Sequence, residues 1–514
     1  MSLLAVQAPI VTPRVDWPVI APVVVLFSTA LLVLLVRAIV RWNPELVRRS
    51  SVVLTFIGLA ASAAYIANEW HLVKDNHAYQ TFAGAIAVDG MAVYVQAVVV
   101  LATAFGVLLA LGYLRREGLE TPEYLVLLLL SAAGMLVMAH ANDLVLVFVA
   151  LEVFSIALYV LVAFDRRRST SQEAGLKYFV LGAFSSAVFL FGVALVYGAT
   201  GTTSLTGIAR AVLASPDTNR GLLLAGFALL LVGLGFKVAA VPFHMWTPDV
   251  YEGAPTPVTT FMAAATKAAA FAAFLRIFAG SFASVSSDWR PAVYVLAVLS
   301  LVVGTAAAAV QSDVKRMLAY SSIAHAGYVL IAVQVANAGP RADKVPGTQA
   351  ALFYLLVYSV MAIGAFGVVQ VINHRGETHH AVSDYKGLSR REPMLAGLFA
   401  LFLLAQAGVP FTGGFIAKLT VFRAAIDAGQ YQLAVVGMLA AVIGAFVYLR
   451  LVITMYASSD DDHGAAASSE PRVTVDTSGR LALALAAVAV LVLGVMPNWF
   501  LDVAHQATQL LAGR

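Results

Sequence analysis

Five ionisable residues lie inside long apolar runs: Glu152, Lys237, Lys267, His325 and Lys418. Glu152 stands in Phe148-Val149-Ala150-Leu151-Glu152-Val153-Phe154-Ser155, Lys267 in Ala264-Ala265-Thr266-Lys267-Ala268-Ala269-Ala270, and His325 follows Ser321-Ser322-Ile323-Ala324. A carboxylate, three amines and an imidazole in apolar surroundings can hold and pass protons. A buried ammonium is stabilised by a carboxylate beside it and loses that support when the carboxylate withdraws. Glu152 could therefore switch Lys237 between keeping and releasing a proton. Lys267 and Lys418 could pass protons through ordered water, with His325 as a relay, because an imidazole ordinarily titrates near neutrality. A charge at the centre of a bilayer costs roughly 2.5–3.5 kcal/mol on insertion scales. Five such groups persist only if they pair or face water.

The elements that must hold them follow from composition. The chain has 514 residues, of which 61% are hydrophobic and 12% charged. Soluble domains run near 45–50% apolar and about 25% charged. A membrane-spanning helix needs about 20 apolar residues, and the sequence supplies 14 such runs, at 19–40, 51–70, 87–113, 121–139, 142–164, 173–198, 221–249, 255–280, 290–310, 314–336, 347–373, 393–423, 430–457 and 480–505. The runs at 121–164 are separated only by His140, Ala141, Asn142 and Asp143, which predicts a tight hairpin. The expected fold is an all-α integral membrane bundle of about 14 transmembrane helices. With no cysteine in the chain, disulfides and iron–sulfur ligation are excluded. The net charge of +4 forms no basic face, so nucleic acid is not implied. The first 18 residues carry Pro9, Pro13 and Pro18 and no basic start, so the first span is expected to serve as its own insertion signal.

Loop charges set the orientation. With the N-terminus outside, inner loops collect 18 Lys and Arg and outer loops nine, while Lys177, Lys237, Lys267, Arg276 and Lys418 fall within spans; together these are all 32. Both termini are therefore expected outside. The bias of 24 Arg against 8 Lys, with abundant Ala and Val, points to a high-GC bacterium and so to a plasma membrane. Glu173 and Lys177 are spaced as an ordinary i,i+4 pair, and Asp143 and Asp249 are expected to cap or line span ends.

Two spans are interrupted alike. The seventh contains Phe236-Lys237-Val238-Ala239-Ala240-Val241-Pro242-Phe243-His244 and the twelfth Ala407-Gly408-Val409-Pro410-Phe411-Thr412-Gly413-Gly414-Phe415-Ile416-Ala417-Lys418. Proline removes a helix donor and expels its predecessor from helical geometry. Irregular backbone at membrane depth survives only against protein or water, and paired interruptions in two halves point to an inverted repeat around a midplane site. Because the breaks lie five spans apart, spans 4–8 and 9–13 are expected to be related by inversion. The chain then divides into a three-helix segment at 1–120, a first repeat at 121–280, a second at 290–457, and a flexible loop with the last helix at 458–514.

The run Phe236 to His244 continues Met245-Trp246-Thr247-Pro248-Asp249-Val250-Tyr251-Glu252-Gly253-Ala254-Pro255-Thr256-Pro257-Val258. That stretch, and Asp313-Val314-Lys315-Arg316-Met317-Leu318-Ala319-Tyr320-Ser321-Ser322-Ile323-Ala324-His325-Ala326-Gly327, resemble the signature of the antiporter-like proton-translocating subunits of respiratory complex I. The similarity extends over nearly the whole chain. Within the family the sequence is most similar to the N branch, the counterpart of mitochondrial NADH dehydrogenase subunit 2. Lys418 resembles subunit N or L more than subunit M, and the further spans and long lateral helix of subunit L are not found, which favours N. The resemblance implies that Glu152 pairs with Lys237, and that Lys267, His325 and Lys418 complete a proton path. It also implies membrane-arm partner subunits that hold FMN, iron–sulfur clusters and quinone, with no cofactor in this chain. Rival readings are a subunit of a multi-subunit cation/proton antiporter or membrane-bound hydrogenase, a self-sufficient solute transporter, and a structural subunit that moves nothing.

Overall fold

The structure, a computed structural model, describes residues 15–40, 42–214, 219–336, 346–373, 376–377, 380–457, 475–509 and 511. Most of the Pro-rich start, residues 458–474 of the loop at 457–479, and the loop charges Arg14, Arg41, Arg341, Lys344, Arg375, Arg472 and Arg514 lie outside them.

Among the described residues, 13 helices are long and apolar enough to cross a membrane. The fourteenth crossing is built from two shorter helices, Pro393–Ala407 and Gly413–Asp427, on either side of the predicted break. Spans 4 and 5 are Pro122–His140 and Leu144–Val162, a tight hairpin as the sequence predicts. Asp143 starts span 5 by accepting the Val145 and Leu146 amides at 2.8 and 3.3 Å, so it caps that helix. Span 10, Val314–Gln334, starts in the same way on Asp313, which accepts the Arg316 amide at 2.8 Å.

The neighbour relations of the first half recur in the second. Span 4 packs on 5, 5 on 6 and 6 on 7; span 9 packs on 10, 10 on 11 and 11 on 12. Spans 8 (Thr256–Ser281), 10 and 11 (Gly347–Ile372) form the centre and are almost wholly buried, while spans 1, 2 and 13 leave most of their surface facing outward. With Leu, Val, Ile and Phe covering both the inside and the periphery, each helix must satisfy its own backbone, as lipid requires.

Three features depart from the sequence-based expectation. Span 14 ends at Val495, not near 505, because Pro497 opens a separate helix, Pro497–Gln509, that buries only Ala504, Ala507 and Thr508. Proline favours the first turn of a new helix over the interior of an old one. A small antiparallel hairpin, Tyr79–Thr81 with Ile86–Val88, joins spans 2 and 3 in register Tyr79↔Val88; its strands are too short for periodicity to reveal. Span 8 is wider-wound than an α-helix at Met262–Thr266 and Leu275–Ser281, on both sides of Lys267–Phe274. Such π segments often mark functional positions.

Candidate proton-transfer site

In span 7 the helix Arg220–Val238 stops one residue after Lys237, and the chain turns through Ala239, held in a left-handed conformation (φ 60°), before resuming at Trp246–Gly253. Lys237 is buried and donates to the Ser155 hydroxyl at 2.8 Å. Four rings surround its amine: Tyr178 at 5.3 Å, Phe154 and Tyr159 at 5.5 Å and Phe236 at 5.7 Å from their centroids. Ring faces attract a cation that has lost water.

The expected ion pair between Glu152 and Lys237 is not formed. No contact within 4.0 Å joins them, and Glu152 Oε1 is buried without a hydrogen-bond partner among the described residues. The cause is helical phase. Ser155, three residues on, faces the amine, whereas Glu152 lies half-buried beside Val149, Val153 and Ile156, all exposed on the flank of span 5.

The other three residues come together. Lys267 donates to the carbonyl oxygen of Ser322 and lies 5.2 Å from the Tyr358 ring, whose centroid is 5.0 Å from that of His325. His325 places Nδ1 2.7 Å from the Tyr354 hydroxyl and Nε2 3.3 Å from the Tyr448 hydroxyl. Tyr448 also bonds the Ser321 hydroxyl, which donates to Gln406 Oε1 at 3.2 Å. Gln406 closes the chain, because its carbonyl accepts from Lys418 at 2.9 Å and that of Ala407 at 2.8 Å. The span 12 break frees these two carbonyls. Gly408 adopts φ +90°, where a side chain would be strained, and a Cβ there would meet Lys418 Cδ at 3.1 Å. Gly414 lets the two half-helices cross, since a Cβ at that position would lie 1.8 Å from the Ala405 carbonyl oxygen.

A hydrogen-bonded file thus runs from Tyr354 and His325 through Tyr448 and Ser321 to the Gln406 side chain, with Lys267 beside it, and Lys418 joins it at the main-chain carbonyl of Gln406. Lys237 stands apart in its cage. Its wall continues through Trp246, stacked on Tyr178 at 4.7 Å, to Tyr251 at 6.1 Å in the half of span 7 that packs on span 10. Sequence inspection missed Ser155, Ser321, Gln406, the tyrosines 354, 358 and 448, and Tyr328, whose ring centroid lies 5.2 Å from the Lys418 amine. Hydroxyls and rings are ordinary in apolar spans, and nothing in their spacing marks those that meet a lysine. No group of three or more His, Asp or Glu among the described residues is arranged to hold a metal ion.

At the face where span 8 begins, Lys177 bonds both Glu173 and Asp249 at 2.7 Å, so it is more than a local helical pair. Arg316 then joins Asp249 and Glu252 at 2.8 and 2.6 Å. This chain of charges ties span 6, the lower half of span 7 and span 10.

Two broken spans, each with a buried lysine, in a 14-crossing bundle define an antiporter-like membrane subunit. The transmembrane family of NADH:quinone oxidoreductase and Mrp antiporters matches residues 141–444. The chain is 43% identical over 426 residues to NADH-quinone oxidoreductase subunit N 1 of Solibacter usitatus, covering 83% of this chain and 85% of that one. It superposes on a chain of respiratory complex I from Thermus thermophilus with a TM-score of 0.76 at 34% identity, covering 94% and 98% of the two chains. A chain of the Mrp complex from Dietzia shares the fold, with a TM-score of 0.82, 22% identity and coverage of 96% and 98%. The chain belongs to the NADH:quinone oxidoreductase/Mrp antiporter membrane-subunit family, in its subunit N branch.

Proposed function

We propose that this chain is the N-type membrane-arm subunit of a proton-translocating NADH-quinone oxidoreductase, and that it carries protons along Lys237, Lys267, His325 and Lys418. The observation that carries this reading is the buried file from Lys418 to Tyr354, with Lys267 beside it. Each amine rests on oxygen atoms and ring faces and has no carboxylate within 4.0 Å, so no direct ion pair has to break when it gives up its proton. A proton entering at Lys237 is passed to Lys267, then by His325 and the Tyr448–Ser321 hydroxyls to ordered water beside Gln406, and from that water to Lys418. Glu152, on the exposed flank of span 5, is placed to answer a neighbouring subunit, and its approach or withdrawal sets the hold of Lys237 on its proton. Redox chemistry, with FMN, iron–sulfur clusters and quinone, takes place in partner subunits. Moving one charge against 100 mV needs about 2.3 kcal/mol, which those subunits supply. The bundle divides at 121–280 and 290–457 into two inverted repeats, and it sits in a bacterial plasma membrane with both termini outside.

Gentle purification through a tag on this chain tests the assignment. Flavin and iron–sulfur subunits are expected to co-purify with inhibitor-sensitive NADH–quinone activity. Recovery of antiporter or hydrogenase partners instead would overturn the NADH assignment and leave the path to be tested in that machine.

Tyr448→Phe tests the file itself. It keeps the ring and removes the one hydroxyl shared by Ser321 and His325. Losing one such bond is worth about 0.5–1.5 kcal/mol, so NADH-driven proton transport through this chain should slow between about twofold and tenfold. Transport at the unaltered rate would show that protons do not pass Tyr448.

A further inference from the structure

We propose that Glu69 and His140 form a second proton-binding site, on the outer side of the bundle, from which a proton leaves for the medium. The inference rests on the proton-transport reading above and its orientation. Glu69 lies near the outer end of span 2, Pro44–Asn76, and His140 ends span 4. Both are buried, at 0% and 3% exposed, and neither belongs to the file of lysines and tyrosines.

The geometry fixes the proton count. His140 Nδ1 lies 2.7 Å from the carbonyl oxygen of Ala87. A carbonyl only accepts, so Nδ1 carries the hydrogen. The other ring nitrogen, Nε2, then faces Glu69 Oε1 at 3.2 Å, off the line of a straight hydrogen bond. In a neutral imidazole with an ionised carboxylate, two lone pairs would meet there. The contact becomes attractive when one further proton sits on the couple, on Nε2 or on the carboxyl. Glu69 Oε2 has no hydrogen-bond partner among the described residues, so nothing else compensates the carboxylate.

The surrounding charges leave this proton as the one that varies. Asp89, at the end of the hairpin, and Arg276, on span 8, hold each other through two contacts of 2.6 and 3.0 Å. Tyr79 donates to Asp16 at 2.9 Å, beside the start of span 1. Asp89 and Arg276 cancel, so the couple of Glu69 and His140 is neutral with its proton and carries one negative charge without it.

There is also a way out. A cavity of about 280 Å³ on this face is lined by Arg276, Asn142, Thr206 and Ser281. Asn142 is two residues from His140, and Arg276 donates to the Ala139 carbonyl at 2.9 Å, immediately before it. Neither Glu69 nor His140 lines that cavity, so release means that the couple gives its proton, from Nε2 or from the carboxyl, to water reaching it past Asn142 and Ala139, and keeps one negative charge until it is refilled from within.

The test uses the whole complex in inverted membrane vesicles, whose lumen is the outer side. Wild-type NADH-driven pumping is expected to slow as the lumen is acidified and the couple stays loaded. Glu69→Gln and His140→Gln keep the size of the side chains but cannot share the proton, so this luminal response should be lost. An assembled E69Q complex with the wild-type luminal response would overturn the proposal. Should neither amide variant assemble, Glu69→Asp decides. It draws the carboxylate back from the ring, and a displaced luminal response supports the site, whereas an unmoved response or failure to assemble overturns it. Loss of pumping in Lys267→Arg judges the underlying reading separately, whichever way the Glu69 variants fall.

Discussion

Replacing Lys267 by methionine is expected to abolish proton movement through this chain. The residue is 2% exposed at the centre of span 8, in the α-helical segment between two π segments. Its amine touches the Ser322 carbonyl and the Tyr358 face. Methionine fills nearly the same volume, so packing changes little. A positioned acid–base group contributes about 100-fold or more to proton transfer, and transfer past this point should fall by at least that factor. Inverted vesicles read the result as fewer protons moved per NADH oxidised, or as slower NADH oxidation if turnover is tied to this path. Lys267→Arg separates two roles that methionine confounds. A guanidinium keeps the charge and its donors but does not deprotonate in proteins. If Lys267 only supplied positive potential, the arginine variant would pump. On the proton-carrier reading it fails as fully as methionine, and normal pumping by either variant would remove Lys267 from the path.

Much of this was legible in the sequence because membranes impose simple rules. Apolar runs of the right length gave the crossings, and Pro242 and Pro410 marked the broken spans because no other residue disrupts a helix so reliably. Lys237, Lys267, His325 and Lys418 stood out because charge in an apolar run needs a reason. What could not be read was relative phase. Whether span 5 turns Glu152 or Ser155 toward Lys237 depends on how spans 5 and 7 rotate in packing, and a uniformly apolar helix carries no stripe to set that rotation. The tyrosine file was hidden for a related cause. Tyr354, Tyr358 and Tyr448 lie far from His325 in sequence and meet it only when spans 10, 11 and 13 assemble. Nothing in the polar stretch after span 11 marks Glu377, the most densely paired carboxylate among the described residues, because its partners come from spans distant in sequence.

Glu377→Ala is expected to destabilise the bundle by about 3–5 kcal/mol, the usual consequence of removing one member of a buried ionic cluster. Glu377 is 4% exposed, and its backbone adopts a left-handed φ of 51°. Its carboxylate accepts from the Thr256 amide at 2.8 Å and hydroxyl at 2.7 Å, at the first residue of span 8. It also meets Lys315 at 3.0 Å, Arg168 at 3.1 Å and His380 at 3.7 Å. One side chain therefore ties spans 6, 8 and 10 at the face where all three begin, and its loss leaves Lys315, which is fully buried, facing the Ala254 carbonyl alone. Burial is the largest influence on the carboxyl and by itself favours the protonated form. Lys315, His380, Arg168 and Thr256 together outweigh it and hold the group well below its ordinary value of 4.5. A depressed carboxylate stabilises the fold fully above that ordinary value and progressively less as pH falls toward the folded one. Thermal unfolding of the detergent-purified complex, followed with pH, reads both effects. Wild type should lose stability below about pH 4.5, the ordinary carboxyl value, and Glu377→Gln should start lower at neutral pH and lose less on acidification. If the two proteins lose stability in parallel, Glu377 contributes nothing that depends on its charge, and the cluster must be held together by its hydrogen bonds alone.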